Sequence, residues 1–369
     1  MEKTILLTAG GSGGHLFPAQ ALAGELTARG HVVELATDER ADRYGQAFPA
    51  RKIHIVSSAT IQGKNPVALA RTGFALLRGF FQSLVILRRL RPQVVVGFGG
   101  YPAFPPMIAA RVLGIPTILH EQNALMGRAN RMLAQFVTGI AQSFADTRLA
   151  KGFAAKAGHT GNPVRQAVIE DSRSPYDPPS LDKSFRLLVF GGSQGAQFFS
   201  DMMPDALAEL DPTLRKRLAL VQQCRPEDMD RVCARYDELG IGASLAPFFV
   251  DMPTRIALSH LVICRSGASS VAELSVIGRP SILVPLPHAL DQDQSANAEV
   301  LEEAGGAWCI QQAELGPRRM AKELAELMND PDRLVAAAEA AHTQGRPDAV
   351  KRLADLVDHV GDGGKVSAY

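Results

Sequence analysis

At 369 residues the chain has room for two domains, each with its own core. Its 46 % hydrophobic content excludes a disordered chain, and 39 Lys plus Arg against 38 Asp plus Glu leave no global charge bias toward nucleic acid. The four cysteines (Cys224, Cys233, Cys264, Cys309) lack C-x-x-C or Cys/His ligand spacing, which fits a reduced, cytosolic protein with no bound metal. Met1-Glu2-Lys3 runs straight into an apolar segment, so no signal peptide is expected, and no apolar run reaches the ~20 residues of a spanning helix.

Short apolar runs alternate with helical patterns along the chain, which predicts an α/β fold with parallel sheets. Lys3–Thr8 reads as a strand, Gly10-Gly11-Ser12-Gly13-Gly14-His15 as a tight loop, and Ala19, Leu22, Ala23 and Leu26 as the buried stripe of the helix that follows. Further strands are expected at Val32–Ala36, Val94–Gly97, Thr117–His120 and Val137–Ala141. The seam falls near Thr160–Arg165, and the Pro- and Asp-rich stretch Asp171–Asp182 reads as a surface loop. Beyond it come strand candidates Arg186–Phe190, Ala219–Gln222, Leu261–Cys264 and Ser281–Pro285, then a helix from Pro347 through Val360.

The halves echo each other. ILLTAGGSGGHLFPAQAL is matched by RLLVFGGSQGAQFFSDMM, and PQVVVGFGGYPAF…GIPTILHEQNA by SHLVICRSGASSV…GRPSILVPLPHA. Two matches in the same order predict two similar Rossmann-like domains. Ligands of such sheets sit beyond the carboxyl ends of the strands, so the loops after each strand are the candidates. GGSGGH fits neither the dinucleotide fingerprint, whose third glycine position is Leu16, nor a Walker loop. It does present amides and a helix dipole to an anion, with His15 in reach as a base. Glu121 is a rival base.

In Arg265–Glu273, serines at a helix start suit a phosphate and Glu273, one turn on, suits ribose hydroxyls. Equally, Ser269 or Ser270 could cap the helix with Glu273 as its capping-box partner. Asp291-Gln292-Asp293 does not read as a metal clamp, and Gln292 and Gln294 suit sugar hydroxyls. From Lys64 to Arg91 there are six basic residues and no acidic one, around an amphipathic helix whose stripe is Phe74, Leu77, Phe81 and Leu84. Such a helix either packs on its sheet with a solvated rim or docks on an anionic membrane.

GGSGGHLFPA, GFGGYPAFPP, ILHEQNALMGRANR, GNPVR, LVFGGSQGA and CRSGASSVAEL, in this order, resemble the MurG family, glycosyltransferase family 28, from about Lys3 to about Leu356. The resemblance implies a GT-B fold: two Rossmann-like domains with parallel sheets facing a central cleft. An N-terminal acceptor and membrane domain would span 1–163, with a C-terminal helix, 347–369, packing back on it, and a UDP-GlcNAc-binding domain would span 164–346. It implies inverting transfer of N-acetylglucosamine from UDP-GlcNAc to lipid I, the undecaprenyl-diphosphate muramyl pentapeptide, giving lipid II for peptidoglycan and so serving cell-wall growth, shape and division. No cofactor is implied, and the expected place is the cytoplasmic face of the inner membrane, reached through Lys64–Arg91, with other cell-wall synthesis proteins as partners.

Carried over by motif, Glu273 would hold the ribose and Ala268, Ser269 and Ser270 the diphosphate. Phe249 would sit at the uracil, Ser193 and Arg165 would border the donor, and Gln294 would read the sugar. Ser12, Gly13, Gly14 and Asn123 would face the acceptor, with His15 as base and Glu121 second. The alternatives are another GT-B enzyme, such as a UDP-GlcNAc 2-epimerase or a lipid glycosyltransferase, a non-catalytic nucleotide-sugar binder, and a dehydrogenase, which the broken fingerprints disfavour.

Overall fold

The computed structural model describes residues 2–39, 48–59, 66–149, 152–192, 195–287 and 292–366, with only the backbone for 66–69. The chain divides into two bodies, Met1–Arg165 with Pro347–Tyr369, and Gln166–Arg346. Val164 and Arg165 thus belong to the first.

In the first body the strands are β1 (Thr4–Thr8), β2 (Val32–Thr37), β3 (Lys52–Ile55), β4 (Val94–Gly97), β5 (Thr117–Glu121), β6 (Gly139–Gln142) and β7 (Ala157–His159). They form one parallel sheet in the order β3-β2-β1-β4-β5-β6-β7. Strand side chains alternate between faces. Ile5, Leu7, Val33, Leu35, Val94, Val96 and Ile118 therefore pack under the helices Gly13–Ala28 and Ala349–Gly361. Leu6, Ala36, Val95, Leu119 and Ile140 face the other layer, where Leu87 of helix Pro66–Leu90 and Met107 of helix Phe104–Val112 lie. With helices on both faces, the order reverses direction between β1 and β4, which opens a crevice at their carboxyl ends.

The returning helix is fixed by more than its apolar face. Lys3 Nζ donates to Asp358 Oδ1 and Asp362 Oδ2, both at 3.0 Å, and Arg29 donates to Asp355 at 2.6 Å and Asp358 at 3.1 Å. After the helix, Val366 is 2 % exposed and seats in a slot beside Gly139 of β6.

The second body repeats the plan with β8 (Phe185–Phe190), β9 (Leu218–Gln223), β10 (Ala243–Ala246), β11 (Leu261–Cys264), β12 (Ser281–Leu283) and β13 (Ala307–Cys309), in the order β10-β9-β8-β11-β12-β13. Its switch point lies between β8 and β11. β12 stops at Leu283, short of the Ser281–Pro285 expected, and the carbonyls of Val284 and Pro285 are taken by Arg265. The 171–182 stretch carries no regular element beyond Asp171, yet it is stitched down. Tyr176 Oη donates to the His260 carbonyl at 2.8 Å, Arg186 pairs with Asp177 at 2.7 Å, and Arg279 donates to the Ser174 carbonyl at 3.3 Å.

Candidate functional site

In the first body the switch point brings the 9–15 and 98–101 loops together. Gly10 N donates to the Gly99 carbonyl at 3.1 Å. Ser12, extended at φ −107°, is the N-cap of helix Gly13–Ala28, but its side chain makes no cap bond. Gly13 is buried, and Gly14 is exposed with open space where a Cβ would stand. The half-buried His15 ring lies against two glycines: a Cβ on Gly10 would be 3.2 Å from its Cδ2, and one on Gly100 would be 3.3 Å from Cδ2 and 3.4 Å from Nε2. Gly100 also has φ +76°, a conformation side chains disfavour. Gly10 after β1 and Gly100 after β4 thus make the shelf on which the imidazole rests.

β5 delivers the next group. His120 is fully buried, and burial, aided by the neighbouring His15, pushes its pKa down to about 4. The neutral ring pairs through Nε2 with the Gly161 carbonyl at 3.2 Å and through Nδ1 with Gln122 Nε2 at 3.0 Å, so it is a structural link. Glu121 is also fully buried, and burial pushes its carboxyl up to about 7. Its Oε1 accepts from Asn123 N at 2.9 Å and, at 3.4 Å, from Asn123 Nδ2. Its Oε2 accepts from Asn130 Nδ2 at 2.8 Å and Gly127 N at 3.2 Å. Both oxygens are engaged in holding the 121–130 loop, which presents the half-buried Asn123. Arg165 stacks its guanidinium 5.0 Å over Phe17.

In the second body, helix Ala268–Ile277 follows β11. Its N-cap is Gly267, with no side-chain cap bond, so the capping alternative for Ser269, Ser270 and Glu273 is not what forms. Ala268 is buried, while Ser269 and Ser270 are half-buried on the first turn. The Oγ atoms of Ser266 and Ser269 are buried without a hydrogen-bond partner among the described residues. The first turn contains no acidic residue, and the uncapped amides there are ready for an anion. Glu273 lies one turn in and is 7 % exposed. Phe249 is 6 % exposed beneath Arg255, whose guanidinium sits 4.2 Å above the ring. Gln294 Oε1 accepts from Leu286 N at 3.0 Å, so that carbonyl braces the end of the 284–287 segment. Ser193 and Asp291 lie outside the described residues, and among those described no three His, Cys, Asp or Glu side chains converge as a metal site.

Three buried polar residues brace these loops, one in the first body and two in the second. Asn130 braces Glu121. Asn297, fully buried, donates from Nδ2 to the Ser266 carbonyl at 3.1 Å. Arg265 clamps the end of β12. A buried polar residue one element away gives no periodicity to read; only its place between two alanines, as in Ala296-Asn297-Ala298, hints at it.

Helix Pro66–Leu90 differs from the expected stripe. Leu84 and Phe80 pack against the core, whereas Phe74, Leu77, Phe81 and Val85 are 71, 54, 57 and 48 % exposed. Arg71, Arg78, Arg88 and Arg89 are exposed along the same helix, and Lys64 lies outside the described residues. Helices of the same layer add exposed Val112 and Met132, and Phe136 follows them.

Two doubly wound parallel bodies, the second with an uncapped helix start and a buried acid one turn in, define a nucleotide-binding α/β architecture of two Rossmann-like domains. Residues 5–142 match the glycosyltransferase family 28 N-terminal domain and 186–353 its C-terminal domain. The chain is 54 % identical over 367 residues, all of this chain and 98 % of the other, to the UDP-N-acetylglucosamine--N-acetylmuramyl-(pentapeptide) pyrophosphoryl-undecaprenol N-acetylglucosamine transferase of Chelativorans sp.. The crystal structure of Acinetobacter baumannii MurG superposes with a TM-score of 0.77 at 30 % identity, covering 97 % of this chain and 99 % of that one. A UDP-GlcNAc 2-epimerase from Neisseria meningitidis shares the fold alone, at 12 % identity and a TM-score of 0.66 over 96 % of this chain and 99 % of its own. The chain belongs to glycosyltransferase family 28.

Proposed function

We propose that this chain transfers N-acetylglucosamine from UDP-GlcNAc to undecaprenyl-diphosphate-muramyl pentapeptide, releasing UDP and yielding the disaccharide lipid of peptidoglycan synthesis. The observation that carries the reading most is the start of helix Ala268–Ile277. It has open amides, two buried hydroxyls without partners among the described residues, and Glu273 one turn on. Amides and the helix dipole would take the diphosphate, and Glu273 would accept from the ribose hydroxyls. Phe249, Ser193, Arg165 and Gln294 complete the donor side in this reading.

On the first body, Ser12–Gly14 and Asn123 would meet the acceptor. The muramyl hydroxyl oxygen attacks the anomeric carbon, the bond from that carbon to the diphosphate oxygen breaks, and UDP leaves with the electron pair. His15 takes the hydroxyl proton. Single displacement inverts the donor's α link to β. We assign the base to His15 because both oxygens of Glu121 are engaged with the 121–130 loop. Incubation with UDP-GlcNAc and a soluble acceptor-lipid analogue tests the reading. UDP release that depends on the acceptor, with a β-linked product, is expected; UDP release without acceptor, or epimerised sugar, overturns it.

The acceptor is a lipid, so the enzyme works at a bilayer. Among the described residues no helix is long and apolar enough to cross one. We infer peripheral docking on the cytoplasmic leaflet through the exposed stripe Phe74, Leu77, Phe81 and Val85 and its arginines.

A further inference from the structure

We propose that Gln312 is a positioning residue for the donor's diphosphate: its neutral carboxamide holds the Arg265 guanidinium and leaves that buried positive charge for the ligand to compensate. The proposal rests on the donor reading above. Arg265 is 7 % exposed. Its Nη1 donates to the Val284 and Pro285 carbonyls, both at 3.1 Å, and its Nη2 donates to Gln312 Oε1 at 2.6 Å. The guanidinium lies 5.3 and 5.2 Å from the rings of Phe198 and Phe199, and its Nε is buried without a hydrogen-bond partner among the described residues. Every partner is neutral, and no carboxylate among the described residues pairs with it. Arg279, buried as deeply on carbonyls alone, has Asp177 in its field, whereas among the described residues no carboxylate acts on Arg265.

A buried cation without a counter-charge is costly, and the cost is recovered when an anion arrives. Arg265 stands two residues before the open helix start at Gly267, next in sequence to Ser266, whose hydroxyl is likewise buried without a partner. Gln312 belongs to the turn Gln312–Glu314, beyond β13. That turn also carries a carboxylate, Glu314, but it pairs with Arg319 at 3.1 Å. At position 312 an isosteric carboxylate would neutralise Arg265 from within and compete with the diphosphate.

The test compares the native chain with Gln312→Glu and Gln312→Met in titration calorimetry against UDP and against uridine. Melting temperatures report whether each variant is folded. Gln312→Glu is expected to weaken UDP at least about tenfold while uridine stays within about twofold, and Gln312→Met, which leaves the charge in place, to weaken UDP by less than about threefold. UDP affinity unchanged in Gln312→Glu, uridine falling in step with UDP, or equal losses in both variants would each overturn the proposal. A native chain that binds neither UDP nor uridine brings down the donor reading and this inference with it. Normal UDP binding with an indifferent Gln312→Glu removes this inference alone.

Discussion

The His15 ring rests against two glycines. The shelf of Gly10 and Gly100 leaves 3.2–3.4 Å between the ring and a would-be Cβ, and Gly100 already sits at φ +76°. His15→Ala is expected to lower kcat by about 10²–10⁴-fold with the KM for UDP-GlcNAc within about threefold, as loss of a general base does. Gly100→Ala should lower kcat in the same sense by displacing the ring; a rise in donor KM alone would show that His15 binds rather than takes the proton. Glu121 gives a separate signature in stability. Burial raises its carboxyl to about 7 in the folded state, above the unfolded value, so folding favours the protonated form. This contribution is whole below about pH 4.5 and fades as pH rises toward about 7, by about 3 kcal/mol in all. Native stability relative to Glu121→Gln should therefore fall between pH 5 and 8 in urea unfolding. A flat difference across that range means that the carboxyl titrates where exposed ones do.

At the scale of elements, the sequence was legible where a strand is buried on both faces and illegible at the rims. β1, β4, β5, β8 and β11 are runs of four or more apolar or neutral residues and were readable to within a residue or so at each end. The strands that went unread, β3, β7, β10 and β13, are the four edges of the two sheets. Each has three or four residues, nearly all half-buried or exposed, and such a strand needs no apolar run. The loops after the central strands were legible because glycine runs mark close backbone approach. The roles of Arg265, Asn297 and Gln312, which brace them in the second body, were not, because their partners lie far away in sequence. The helix Pro66–Leu90 showed its composition but not its facing. Its core side is made by Thr72, Gly79, Ser83 and Leu87, two polar groups and a glycine, and this turns Phe74, Leu77, Phe81 and Val85 outward. Changing Arg71, Arg78 and Arg88 together to Glu should weaken binding to vesicles containing phosphatidylglycerol at least about tenfold, at about 1 kcal/mol per basic residue, and leave UDP affinity unaltered. Vesicle binding that survives this change sends docking elsewhere. The tail offers a smaller test. A Cβ on Gly139 would overlap Val366, so Gly139→Ala should expel that side chain and hasten proteolytic trimming of the C-terminus. An unaltered trimming rate would mean that Val366 does not hold the tail.

For the whole molecule, the two bodies have separate cores. One is built on both faces of the seven-stranded sheet and includes the returning helix Ala349–Gly361; the other is built on the six-stranded sheet. The returning helix makes the first body discontinuous in sequence, and its ion pairs run from Asp355, Asp358 and Asp362 to Lys3 and Arg29, so that body closes only once Ala349–Gly361 has been made. The donor groups proposed here, apart from Arg165, belong to the second body. A ligand that binds only the folded state raises stability by RT ln(1 + [L]/Kd), about 2.7 kcal/mol at a hundredfold excess over Kd, and the gain goes to the unit that holds it. Scanning calorimetry of the intact chain should resolve two transitions, of which UDP raises only that of Gln166–Arg346. Lys3→Met, which removes one cation from Asp358 and Asp362, should lower only the other. Identifying each transition through these two perturbations keeps the experiment independent of assignment. If UDP and Lys3→Met move one common transition, the two cores unfold as one cooperative unit and the separation fails.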